Sequence, residues 1–174
     1  PGEYTTAYLL LRIYLDKPFT PVFLNFDEVG GAVKDGRVDA GVIIHEGQIM
    51  WKQQGYENVL DLGLAWGEDT GLPIPLGLDM VHRDLGDDSA QAVVKGLGAS
   101  IRHAMDNEED AIDYSLPFGR GIDRDTCRQF VRMYVNQDTV NMGEEGRRAL
   151  ETLYKRAHDR ELIATIPPLD IIES

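Results

Sequence analysis

Ala40-Gly41-Val42-Ile43-Ile44-His45-Glu46 is the stretch on which the reading of this chain turns. Five nearly continuous apolar residues with a β-branched core predict a short strand buried on both faces, as in a parallel sheet. The strand ends on a histidine and a glutamate. Upstream, Pro21-Val22-Phe23-Leu24-Asn25-Phe26 has the β-branched and aromatic content of another strand. Between the two, Asp27 is expected to cap a short helix carrying Val29, Ala32 and Val33 and closed by Gly36. Before them, Thr5 to Leu15 is apolar at nearly every position except Arg12 and reads as a helix buried on most sides, started by Thr5-Thr6 and stopped near Pro18. Helix, strand, helix, strand is the order of βαβ units, so the fold class expected is α/β.

Beyond the strand, Gly47 to Gly55 predicts a short helix bearing Ile49, Met50 and Trp51. Asn58 to Leu62 reads as a short strand, Trp66 to Thr70 as one helical turn, and Leu72 to Gly77 as a crossing segment broken by two prolines. Leu78 to Arg83 is the last expected strand. Helices follow. One is capped by Asp87 or Asp88 and runs to about Met105. The next is capped by Asn107, with Glu108, Glu109 and Asp110 at the positive end of its dipole. Asp123 to Val135 and Glu144 to His158 complete the set, and Thr165 to Ser174 reads as an extended tail.

Composition bounds the function. The chain of 174 residues has 43% apolar and 27% charged residues, the balance of a globular protein. With 17 basic and 30 acidic residues its net charge is −13, which disfavours a phosphate backbone as partner, and no basic stripe offsets it. Nucleic acid is therefore not expected. The single Cys127 excludes an internal disulfide and a multi-cysteine zinc site. The longest apolar run, Ala7 to Leu11, is too short to span a bilayer, so no membrane partner is expected.

Ligands of open parallel sheets bind outside the carboxyl ends of the strands. His45 falls at that edge as a titratable base, and the Thr5-Thr6-Ala7 helix start offers backbone amides and two hydroxyls to an anion. The plainer readings stand beside these. A histidine there can simply be packed or solvated, and Thr-Thr can be only a cap. His82, Asp84, Asp87 and Asp88 lack calcium-loop spacing and read as caps rather than a metal site. Gly119-Arg120-Gly121 lacks a third glycine and a preceding strand. Trp51, Tyr56 and Trp66 suit a cleft or a core equally, the acidic patches read as solvated helix faces, and Cys127 reads as a small buried residue.

Taken together, Pro1-Gly2-x-x-Thr5-Thr6-Ala7-Tyr8, the Ala40 to Glu46 stretch, Asp61-Leu62-Gly63 leading to Trp66, and Thr70-Gly71-Leu72-Pro73-Ile74-Pro75-Leu76-Gly77 resemble the 1,4-dihydroxy-6-naphthoate synthase family. Arg83-Asp84-Leu85-Gly86, Tyr134-Val135-Asn136 and Gly143-Glu144-Glu145-Gly146 extend the likeness. The resemblance implies a two-lobed fold like that of type II periplasmic binding proteins, working in the cytoplasm without metal or organic cofactor. It implies a lyase of the futalosine route to menaquinone, which takes cyclic dehypoxanthinyl futalosine to 1,4-dihydroxy-6-naphthoate. It places the catalytic base on His45 and the small-molecule substrate against Thr5, Thr6 and Ala7. A neutral imidazole suits that task because it takes up a proton near neutral pH.

In that topology residues 1–76 form one α/β lobe carrying the cleft edge, and 77–174 return to the other lobe. The family's chain carries about another half-lobe before the Pro-Gly, so the expected partner is that N-terminal segment, without which this stretch should be inactive and expose apolar surface. The rival readings are a solute-binding receptor, the sister enzyme chorismate dehydratase, which shares the Trp-x-x-x-Thr-Gly-Leu-Pro region, and a regulatory ligand-sensing domain. The Ile-His-Glu segment and the Pro-Ile-Pro-Leu-Gly continuation favour the naphthoate synthase.

Overall fold

The computed structural model describes residues 1–172. Among them are nine α-helices: α1 (Thr6–Tyr14), α2 (Val29–Lys34), α3 (Gly47–Met50), α4 (Leu62–Thr70), α5 (Asp87–Asp106), α6 (Glu108–Ser115), α7 (Arg124–Tyr134), α8 (Gln137–Val140) and α9 (Gly143–Asp159). Short 3₁₀ turns lie at Arg83–Leu85 and Leu116–Phe118. The chain divides into two compact units, Pro1–Gly77 with Arg148–Pro167, and Leu78–Arg147 with the residues from Pro168 onward. None of the described helices is long and apolar enough to cross a membrane.

The first unit is built on an apolar core. Thr5 starts α1, its hydroxyl accepting from the Tyr8 amide, and the helix turns Leu10 and Ile13 inward. They meet Trp66 of α4 with Ala149 and Leu153 of α9, and Leu9, Tyr14, Leu62, Leu72, Ile74 and Leu162 close around them. Trp66 is fully buried, and its indole N–H donates to the Pro73 carbonyl at 2.9 Å, so no donor is stranded in the core. Where sequence pointed to one helical turn after a strand, α4 is a nine-residue helix. The reason is Asp61, whose carboxylate accepts from the amides of Gly63 (2.9 Å) and Leu64 (3.0 Å) and so starts the helix at the residue where the strand was expected to end.

At the edge of this core the Asp69 carboxylate receives the Arg156 guanidinium and, at 3.1 Å, the Tyr14 hydroxyl. Arg156 also donates to that hydroxyl at 3.2 Å and lies 5.5 Å over the Trp66 ring. The bond from Arg156, with that from Tyr14, holds Asp69 below the usual carboxylate range. Burial, then the bond to Asp69, pushes the Tyr14 phenol up.

The second unit buries one large apolar side chain, Ile112 of α6, among small residues, Ala90 and Gly98 of α5 and Cys127 of α7. Its α6–α7 pair is laced by charge. Arg132 grips Glu108 with two bonds of 2.6 Å, Arg128 reaches Glu109 at 3.0 and 3.1 Å, and Arg124 reaches Glu109 at 2.7 Å and also pairs with Asp113. The acidic first turn of α6, read from sequence as a solvated face, is thus an ion-pair surface because α7 presents Arg124, Arg128 and Arg132 at four-residue spacing. Those arginines hold Glu108 and Glu109 below the usual range.

The helical half of the expected α/β layer is present, and the strands are not. Residues 21–26, 40–44, 58–61 and 78–82 have extended or irregular backbone, and no strand is found among the described residues. Extended chain becomes a strand only when a neighbour completes its ladder, and these stretches instead carry exposed apolar side chains, among them Val22, Phe23, Val59 (87% exposed), Leu78 and Met80 (88%).

The caps shift too. Glu28, not Asp27, precedes α2 and makes no side-chain cap, and Gly86 rather than Asp87 or Asp88 precedes α5. Asn107 sits at the cap of α6 but turns its amide back to the His103 carbonyl at 2.8 Å. The tail expected to be extended has no regular secondary structure over 166–172, while Glu173 and Ser174 lie outside the described residues.

Candidate functional site

The Ala40–Ile44 run is pressed onto α2, where Val29 and Ala32 are buried. A Cβ at Gly41 would stand 2.4 Å from Val29 Cγ1, so only glycine lets the backbone come this close. That approach delivers His45 to the start of α3.

The imidazole there is largely enclosed, its side chain 19% exposed. Gly47 N–H donates to His45 Nδ1 at 3.0 Å. A neutral ring that accepts at Nδ1 carries its hydrogen on Nε2. The Glu46 carboxylate, 13% exposed, has Oε2 3.8 Å from the same Nδ1, longer than a hydrogen bond. Phe26 tilts its ring 6.0 Å from the imidazole. Gly47 is buried, and a Cβ on it would lie 2.6 Å from His45 Cε1, 3.0 Å from Nδ1 and 3.3 Å from Ile43 Cγ2.

At the other candidate place, Thr5 is committed to its own helix. Its hydroxyl donates to the Gly2 carbonyl at 2.8 Å and accepts from the Tyr8 amide at 3.2 Å, and its carbonyl takes the Leu9 amide. What α1 leaves for a ligand is the Thr6 hydroxyl and the amides of Thr6 and Ala7. Tyr8, one residue on, meets Phe23 edge-on at 5.2 Å and Phe19 at 6.4 Å. Arg12 donates to the Tyr8 hydroxyl at 3.1 Å. The aromatic segment Phe19 to Phe26 therefore touches both places, Tyr8 beside the Thr5–Ala7 start and the His45 ring.

Sequence reasoning gave Phe26, Tyr8, Glu46 and Gly47 no role. The one available signal was adjacency, since an acidic residue directly follows the histidine and a glycine follows that. Other candidates resolve to packing or capping. Trp66 belongs to the core, Cys127 is buried in α7, and Lys34 stands 5.1 Å over the Tyr56 ring. His82 is exposed and accepts from the Asp84 amide at 3.3 Å as a cap. Among the described residues no three His, Cys, Asp or Glu side chains gather as a metal site would need.

A family model described as menaquinone biosynthesis matches residues 1–159. The chain belongs to the menaquinone biosynthesis family. Within it, the chain is 38% identical over 167 residues to a 1,4-dihydroxy-6-naphtoate synthase of Thermus thermophilus, covering 96% of this chain and 61% of that one. It is 34% identical over 173 residues to the protein of the same name from Streptomyces coelicolor, covering 97% and 61%. A crystal structure of a protein from Archaeoglobus fulgidus superposes with a TM-score of 0.89 at 43% identity, over 94% of this chain and 61% of the other. The chain thus spans about three fifths of the length of the curated relatives it matches.

Proposed function

We propose that the full-length protein is a lyase of menaquinone biosynthesis that converts cyclic dehypoxanthinyl futalosine to 1,4-dihydroxy-6-naphthoate. The observation carrying this reading is a histidine held in an enclosed niche at the end of the Ala40–Ile44 run, in a family whose curated relatives bear the naphthoate synthase name. His45 takes a proton from the cyclic substrate. The electron pair left behind forms the new double bond as the sugar-derived part departs, and the ring system becomes aromatic. The amides of Thr6 and Ala7 with the Thr6 hydroxyl hold the substrate carboxylate, while Thr5 fixes the helix start that aims them.

The finer fold follows from the same reading. The exposed apolar residues of the extended stretches, Val22, Phe23, Val59 and Leu78 among them, enter a parallel sheet of a two-lobed, periplasmic-binding-protein-like molecule. The rest of the protein supplies the neighbouring strands and the opposite wall of the cleft. Cytoplasmic placement and catalysis without cofactor go with this reading.

The test is turnover by the full-length protein beside His45→Ala. The variant is expected to lose a factor of about 10² to 10⁴ in kcat while still binding substrate. Equal turnover by the two proteins would remove His45 from the chemistry. Tight binding of a solute with no product from the parent would make the protein a receptor.

A further inference from the structure

Nδ1 of His45 faces two neighbours of opposite character, and they cannot both be served. The Gly47 N–H donates to it at 3.0 Å, which requires a lone pair on Nδ1. The Glu46 carboxylate at 3.8 Å can bond it only if Nδ1 carries a hydrogen. Each contact therefore selects one tautomer. With Gly47 engaged the hydrogen sits on Nε2, and that nitrogen is a donor with no lone pair for a substrate proton. With Glu46 engaged the hydrogen sits on Nδ1, and Nε2 becomes the base.

We infer that Glu46 is the positioning residue that makes His45 a base, and that Gly47 holds the ring in its resting, donor form. The inference rests on the reading of His45 as the base. Going from one form to the other closes the 3.8 Å gap by about 1 Å, to the length of a charge-assisted bond. One proton leaves Nε2 and one arrives on Nδ1 through solvent, with no net change in charge. When Nε2 then takes the substrate proton, the imidazolium faces the Glu46 carboxylate, which stabilises it. The resting form exists because residue 47 has no Cβ, which would press within 2.6 Å of the ring. Gly47 has an ordinary helical backbone, so alanine there perturbs the ring and not the helix.

The test uses full-length protein with ¹⁵N-labelled histidine, the His45 signals being assigned by their loss in His45→Ala. The free enzyme is expected to show the Nε2–H tautomer and the complex with 1,4-dihydroxy-6-naphthoate the Nδ1–H tautomer. Glu46→Leu removes the acceptor and is expected to lower kcat about ten- to a hundred-fold with KM little changed. Its product complex should keep Nε2–H. Glu46→Gln, which keeps an acceptor but loses the charge, should fall between Leu and the parent, and it carries the test if the Leu variant does not fold. Gly47→Ala should shift the free enzyme towards Nδ1–H. A free enzyme already in the Nδ1–H form, or Glu46 variants with parental kcat beside a slow His45→Ala, would overturn this inference alone. A His45→Ala as fast as the parent would overturn the base reading and this inference with it.

Discussion

The first unit and the second are both helical, but they are held by different forces. Around Trp66 the first unit buries Leu10, Ile13 and Leu153, large side chains whose removal from water is worth about 1.5–3 kcal/mol each. Inside the second, Ala90, Gly98 and Cys127 accompany Ile112, so little large apolar surface is buried. Charge runs along α6 and α7 instead, with Arg124, Arg128 and Arg132 against Glu108, Glu109 and Asp113. Exposed pairs of this kind contribute little individually and are screened by salt. The contrast teaches that the same element type, read from the same 3.6-residue period, says nothing about which force holds it.

The contrast breaks most sharply at Trp66. Trp66→Ala in the full-length protein is expected to cost about 3–5 kcal/mol, with hydrogen-exchange protection lost in α1 and α4. Unchanged protection there would mean the first unit is not held by its core. Ile112→Ala is expected to cost about 2–5 kcal/mol, with the loss confined to α5, α6 and α7. Raising the salt to about 1 M, where the screening length falls to about 3 Å, should loosen α6 and α7 and leave α1 and α4 protected. Equal loosening in both units would erase the distinction.

pH gives the smallest effect, and the first unit adds an alkaline limb to the acid limb that both units share. Glu108 and Glu109 are lowered from an ordinary value of 4.5. Their stabilisation is therefore complete above that value and is lost as pH falls through the depressed one. Tyr14 is raised from 10.0, so its contribution is complete below that pH and is lost as pH rises through the raised value. Acid should thus weaken α6–α7 through three carboxylates, against Asp69 alone in the Tyr14 cluster of the first unit. The third is Asp123, which the Thr126 amide and hydroxyl hold below the usual range at the start of α7. Alkali should weaken the Tyr14 contact with no counterpart in α6–α7. Exchange protection followed across both limbs checks the signs.

Much of the local structure was legible. The helix over Thr6–Tyr14 and its Thr5 cap followed from an apolar run behind a hydroxyl residue, and α5, α7 and α9 followed from their period. The Asp27 and the Asp87 or Asp88 caps were misplaced because a cap depends on the backbone angles of its neighbours, whereas Asn107 does precede α6 and differs only in turning its side chain to the His103 carbonyl. Composition does not carry those angles. The expected strands find no ladder among the described residues, since a ladder needs two strands and an apolar β-branched stretch specifies only one of them.

At the site, the place of His45 at the end of an apolar run was legible, while its tautomer was not. Sequence by itself determined that α1, α5, α7 and α9 are helices, which stretches are apolar, and that a carboxylate and a glycine follow the histidine. Tertiary structure decided that α2 would draw the Ala40–Ile44 run close through Gly41, and that the Gly47 amide would reach Nδ1 before the Glu46 carboxylate did. The physical reason is range. Periodicity and propensity act along a few residues of chain, whereas a hydrogen bond is made or lost within about 1 Å of approach, and only the packed molecule sets that distance.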